Sequence, residues 1–324
     1  MPQSITIRAG AAGFTGFKHL RERLKLAVRA RVHRRVTSSW LELLNSHPLF
    51  AELVKASPRL VYKIYRPYLS NTADTYGRLA MLRAHYRHVF RNGMGPLTVQ
   101  AARGAVTLAR IEGKSGLPYM LQLRAIEPME REGELVLQLL QGTELVTSCA
   151  FSFLESEGQG GMVLGVGCMQ GPKGERGLQL IKDATRELHG QRPKNLMVKL
   201  LSQIAHDHDC TELRLVGNAN RAVCGATRQG KVHADYDTLW LELGASVRAD
   251  GNFALTSEPI CAPDLAAIAS KKRSEARKRH ETLCELAQAM SISLHAPRIG
   301  TVPVPVVEPA FSPTEEQEDK YALA

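Results

Sequence analysis

The stretch that decides the fold opens with Gly161-Met-Val-Leu-Gly-Val-Gly-Cys-Met-Gln-Gly-Pro-Lys-Gly174 and closes on Tyr236-Asp-Thr-Leu-Trp-Leu-Glu-Leu-Gly244. Met162–Met169 is a short apolar run with a glycine-rich turn behind it, which predicts a buried strand. Two amphipathic segments follow. Leu180, Ile181, Ala184 and Leu188 make one stripe, and Leu196, Met197, Leu200, Leu201, Ile204 and Ala205 make a wider one. The run Leu213–Val216 is then a strand reached through helices, hence parallel to a neighbour. Alternation from Asp237 to Leu243 predicts a further strand, and Phe253–Leu255 a short last one.

Upstream, four runs with short turns predict an antiparallel meander. They are Val106–Ile111, Tyr119–Leu123, Glu134–Leu139 and Leu145–Phe153, with turns at Gly113, Gly133 and Gly142. The break Asn92-Gly-Met-Gly-Pro96 separates this β-rich part, beginning at Leu97, from helical patterns before it. The expected organisation is a loose start (1–16), a helical region with a basic arm (17–95) and an α/β domain (96–262). A basic helix packed on that domain (263–292) and a Pro-rich acidic tail (293–324) complete it. The fold class is α+β with a mixed sheet.

Composition bounds the function classes. The chain has 324 residues, 44% of them hydrophobic, and a net charge of +10. No apolar run reaches the roughly 18–20 residues that span a bilayer, and no signal-like segment opens the chain. These features predict a cytoplasmic protein. The six cysteines show no CxxC pair or zinc spacing, so neither a disulfide framework nor a metal is expected. His206-Asp-His-Asp-Cys210 reads as a polar helix end. Charge is concentrated at the start: residues 1–35 hold nine Lys/Arg against Glu22 alone, while 291–324 hold Arg298 and Lys320 against five acids. Phe17, Leu20, Leu24, Ala27 and Val28 recur at helical spacing, with Arg21, Arg23, Lys25 and Arg29 around them. This arm either packs its stripe on the domain or meets a protein partner or an anionic membrane, peripheral to the inner membrane. Without interleaved aromatics it does not fit nucleic acid.

Several segments, in order, resemble the VirK/YbjX family of bacterial proteins. They are Tyr65-Arg-Pro-Tyr-Leu69, Gly133-Glu-Leu135, Phe151-Ser-Phe153, Gln170-Gly171, Thr185 with Gly190, Arg192-Pro-Lys-Asn-Leu196, Tyr236–Gly244 and Ser270-Lys-Lys-Arg273. Ala245 and Ala276 depart from its pattern. The resemblance implies a role linked to the envelope, virulence and tolerance of antimicrobial peptides, without a defined activity.

More distantly, the succession of meander, strand, turn, helix, parallel strand and Asn is similar to the GNAT acyltransferase order. That resemblance implies a GNAT-like sheet and acyl-CoA or an acyl-carrier protein as cofactor. Turn N–H groups and a helix N-terminus would hold its pyrophosphate. Two turns compete for this role: Gln170, Gly171, Lys173 and Gly174 on one, Arg192, Lys194 and Asn195 on the other. Asn218 follows the parallel strand. On the expected strand Tyr236 and Glu242 share a face, so Glu242 is the candidate general base if burial raises its pKa, with Tyr236 beside it.

Overall fold

The computed structural model describes residues 4–158, 160–223 and 235–296. Its centre is an eight-stranded sheet of order β1-β2-β3-β4-β5-β6-β8-β7. The meander comprises β1 (Val106–Glu112), β2 (Pro118–Ala125), β3 (Leu135–Gln141), β4 (Glu144–Glu155) and β5 (Met162–Gln170), all antiparallel. Helices α6 (Gly174–Glu187) and α7 (Pro193–Asp207) then cross over to β6 (Cys210–Leu215), which pairs parallel to β5. The hairpin β7 (Ser246–Val247) and β8 (Phe253–Thr256) closes the far edge antiparallel to β6. The fold is mixed α/β with the strand and crossover order expected of a GNAT-like sheet.

Before the sheet come α1 (Gly16–Val32), α2 (Arg34–Asn45), α3 (Pro48–Ala56), a 3-10 segment Pro58–Tyr65, α4 (Thr75–Arg91) and α5 (Gly95–Arg103). Their shared core, including Trp40, Phe50, Leu60, Ile64 and Tyr86, joins the sheet through Ile126, Leu154 and Val163. The other core lies between the sheet and α5, α7 and the last helix, α9 (Ser270–His295), on residues such as Leu97, Leu121, Phe151, Leu200 and Leu286.

Three expectations need correction. Residues 97–103 are helical: Pro96 lies in the first turn of α5, where its missing N–H costs nothing. The β-rich part therefore begins at Val106. The last helix starts at Ser270 and not at Pro263. Most consequentially, Tyr236–Glu242 is a helix, α8, and not a strand. Asp235 caps it by accepting from the Thr238 N–H at 3.2 Å. Gly244, at φ +83°, ends it, with Gly244 N–H bonded to Leu241 O and Ala245 N–H to Trp240 O, both at 3.0 Å. That pair of bonds is a Schellman stop, for which glycine is the favoured residue.

The basic arm also differs from a helix packed by its apolar stripe. In α1 only Leu26 is buried; it packs with Ala11 and Tyr62. Phe17, Leu20, Leu24 and Val28 face outward. The tail 297–324 lies outside the described residues.

Candidate functional site

The site forms where β5 and β6 part. Their pairing ends at Val166↔Leu215, with one more bond from Val216 N–H to Val166 O at 3.0 Å. The next β5 residue, Gly167, is skipped in the register with β4, where Ala150 faces Cys168 and Phe151 faces Val166. This bulge requires glycine because a Cβ there would stand 2.0 Å from the Glu132 carbonyl oxygen. Bulges re-aim the residues after them. Cys168 and Met169 accordingly border a gap at the carboxyl end of the parallel pair, the usual place for a ligand in such sheets.

Here α8 fills the gap. Tyr236 Oη accepts from Met169 N–H at 3.0 Å and donates to Met169 O at 3.0 Å. Across the gap, Trp240 Nε1–H donates to Val216 O at 3.0 Å. One helical turn thus satisfies backbone groups on both lips, and both rings are fully buried. The Arg221 guanidinium lies 4.0 Å over the Tyr236 ring. Cys168 Sγ is 3.1 Å from Tyr236 Oη. Burial, then the Tyr236 interaction with Cys168, pushes that phenol's pKa strongly up. The Cys168 thiol is pushed up to about 12, chiefly by burial, so it is not a ready nucleophile. Glu132 is buried beside Cys168 and Arg221, and burial raises its carboxyl pKa against the pull of these neighbours.

The other expected residues fall around this plug. Asn218 joins it directly: its Oδ1 accepts from Tyr236 N–H at 2.9 Å and its N–H donates to Asp237 Oδ1 at 2.8 Å. Glu242 has turned away. On the helix its side chain is 59% exposed, 3.8 Å from the Arg192 guanidinium, so it is a surface residue and not part of the buried site. Arg192 precedes α7, with Pro193, Lys194 and Asn195 in the first turn. Gln170, Gly171, Lys173 and Gly174 form the turn from β5 into α6, with Gly174 at φ +74°. An open cleft of about 420 Å³ lies along α6. Its charges already pair, Arg176 with Glu144 and Arg186 with Asp183 at 3.0 Å.

Three of the segments that carry the family resemblance build a second buried constellation. Glu134 accepts from Lys63 Nζ and from Tyr86 Oη. Tyr68 Oη and Ser152 Oγ are 2.7 Å apart, and Ser152 Oγ accepts from Glu134 N–H at 2.9 Å. Sequence reasoning singled out these segments without seeing that they meet; the signal was a tyrosine, a glutamate and a serine inside otherwise apolar motifs. Glu132 gave less warning, being one acid in a turn.

The sequence profile described as "Protein of unknown function (DUF535)" matches residues 15–291. The chain belongs to the DUF535 family. It is 30% identical over 281 residues to the Escherichia coli K12 protein YbjX, covering 85% of this chain and 84% of that one. A Haemophilus influenzae protein is 26% identical over 273 residues, 83% and 89% of the two chains. Among solved structures, this DUF535 chain is similar to a cAMP-binding acyltransferase from Mycobacterium smegmatis. Its E234A mutant superposes at TM-score 0.28 with 9% identity, over 72% of this chain and 66% of that one, just under two thirds. The unmutated enzyme gives 0.27 with 11% identity, over 72% and 65%. Those values bear on neither ligand nor activity. Among the described residues no helix is long and apolar enough to cross a membrane, and no group of His, Cys, Asp and Glu has the arrangement of a metal site.

Proposed function

We propose that this DUF535 chain works by binding and not by catalysis, on a GNAT-like sheet whose opening is closed by its own side chains. The observation that carries this reading is the double hydrogen bond of Tyr236 to Met169, with Trp240 bonded to the opposite lip. A ligand entering between β5 and β6 must replace those bonds and expel two buried aromatic rings. Each ring is worth about 1.5–3 kcal/mol of burial, and each orphaned backbone group costs about 1–3 kcal/mol more. The family resemblance implies a role linked to the envelope, virulence and tolerance of antimicrobial peptides, and we place that role in the cytoplasm.

A second reading, acyl transfer from acyl-CoA or an acyl-carrier protein, is favoured by one observation. Glu132 is a buried carboxyl with a raised pKa at the edge of the gap, a common property of general bases. It requires α8 to lift away. Calorimetry of the full chain with acyl-CoA and with acyl-carrier protein decides between the two. No heat of binding is expected. Binding of either, together with transfer of the acyl group to an amine acceptor and release of the free thiol, lost in Glu132→Gln while binding persists, would overturn the first reading in favour of the second.

A further inference from the structure

The face of α1 that packs on the protein is narrow. Leu26 is buried against Ala11 and Tyr62, the Glu22 carboxylate accepts from Tyr62 Oη at 3.4 Å and from Lys25 Nζ at 3.0 Å, and His19 Nδ1 reaches Ala11 O at 3.0 Å. Residues on a helix are set about 100° apart, so Glu22, Leu26 and His19 occupy one side. The opposite side carries Phe17, Leu20, Leu24, Val28 and Val32, spaced by three or four residues. They are 81%, 62%, 65%, 55% and 71% exposed. Scattered apolar residues on a surface need no explanation, but a continuous stripe five residues long does.

Charge borders this stripe. About 40–120° round the helix from Phe17 come Arg21, Lys25, Lys18 and Arg29; Arg23 lies on the other flank. Arg31 stands at the stripe's C-terminal end, where its long stem can lie along apolar surface while its head stays in the polar layer. The only acid in residues 1–35 is Glu22, and it is turned toward the protein body. A surface helix with a large exposed apolar face and basic flanks, whose one acid pairs with Arg21 and Lys25 at the packed edge, has the chemistry of an interfacial helix on anionic lipid.

We propose that α1 is a membrane-docking helix: Phe17, Leu20, Leu24, Val28 and Val32 enter the headgroup–acyl boundary of an anionic bilayer, and the flanking Lys and Arg hold its phosphates. This names the partner for a protein that works by binding, yet it stands on α1 alone and survives if acyl-CoA is found to bind at the gap.

The test is co-sedimentation of the full chain with vesicles of phosphatidylglycerol in phosphatidylcholine, and with phosphatidylcholine alone. The unaltered chain pellets with the anionic vesicles, and rising salt weakens this. The double variant Leu20→Ser, Leu24→Ser binds ~10-fold more weakly or worse. Replacing Arg21, Arg23, Lys25 and Arg29 by Gln weakens binding ~100-fold or more. Circular dichroism of both variants stays that of the parent, because the replaced side chains are not in the core. As a reading on the otherwise unaltered chain, Phe17→Trp emission shifts to the blue with anionic vesicles. The proposal is overturned if the chain stays in the supernatant, if either variant binds as well as the parent, or if phosphatidylcholine alone is bound equally. Self-association lost in the Ser variant without vesicle binding would also overturn it, assigning the stripe to a second copy of the chain.

Discussion

Helices α1 and α8 are both amphipathic, and they use their apolar faces in opposite ways. In α8, Tyr236 and Trp240 point inward, because Met169 and Val216 present backbone groups that the diverging strands leave without partners. In α1 the stripe points outward, and the side that packs is held by Leu26 with polar contacts from Glu22 and His19. The contrast teaches that a helical period specifies a face and not its direction. Direction is set by which partner groups would otherwise be orphaned. A buried N–H or C=O without a bond costs about 1–3 kcal/mol, enough to pull a Tyr or Trp inward over a leucine stripe that has no such demand.

Breaking the inward face is the harshest test. Trp240→Ala removes the largest ring of the plug and leaves Val216 O unbonded, so urea unfolding should show a loss of about 3–5 kcal/mol. A loss under 1 kcal/mol would mean that the gap collapses without it. Tyr236→Phe keeps the ring and deletes only the hydroxyl shared by the Met169 N–H and C=O. The expected loss is about 1–3 kcal/mol, and equality with the parent would remove the hydrogen bonds from the argument.

Acid should weaken the packed body while leaving the α1 surface as it is. His88 and His208, 3.2 Å apart between Nε2 and Nδ1, both have pKa values lowered to about 4, mainly by burial. The unfolded chain takes up these protons near pH 6.5, whereas the folded chain waits until about pH 4. Stability is therefore complete above pH 6.5 and falls toward pH 4, by on the order of 3 kcal/mol for each histidine; thermal melts across that range check it, and a flat profile would contradict it. The smallest effect belongs to the outward face. Leu20→Ser with Leu24→Ser should move stability by less than about 0.5 kcal/mol per site, and a larger loss would show that the stripe is not free surface.

Much of the sheet was legible because its strands are apolar and its turns carry glycines. The meander, the crossover and a strand parallel to a neighbour follow from Val106–Leu215 read in order; that the neighbour is β5 comes from the structure. The candidate site was less so. Leu239, Leu241 and Leu243 alternate like a strand, but Leu241 is exposed, and the helical signals sat just outside the run, in Asp235 and Gly244. A seven-residue segment fits either period, and its caps decide. Moving Tyr236 and Glu242 from strand to helix separated them, since positions six apart do not share a helix face. The turns at Gln170 and Arg192, the two candidates for holding an anion, do lie directly ahead of helices. Glu132 escaped notice because its importance comes from the Gly167 bulge pressed against its carbonyl, a contact between residues far apart in the chain.

The Lys63–Glu134–Tyr86 cluster carries a consequence for how the chain comes apart. Lys63 lies on the 3-10 segment and Tyr86 on α4, whereas Glu134 stands at the entrance to β3. Separating the helical layer from the sheet would break both hydrogen bonds to Glu134 and expose to water the apolar core that the two layers share. The cluster therefore acts as a cooperativity lock. It makes a half-melted state with an intact sheet and a detached helical layer too costly to populate, so the two layers gain and lose their order together.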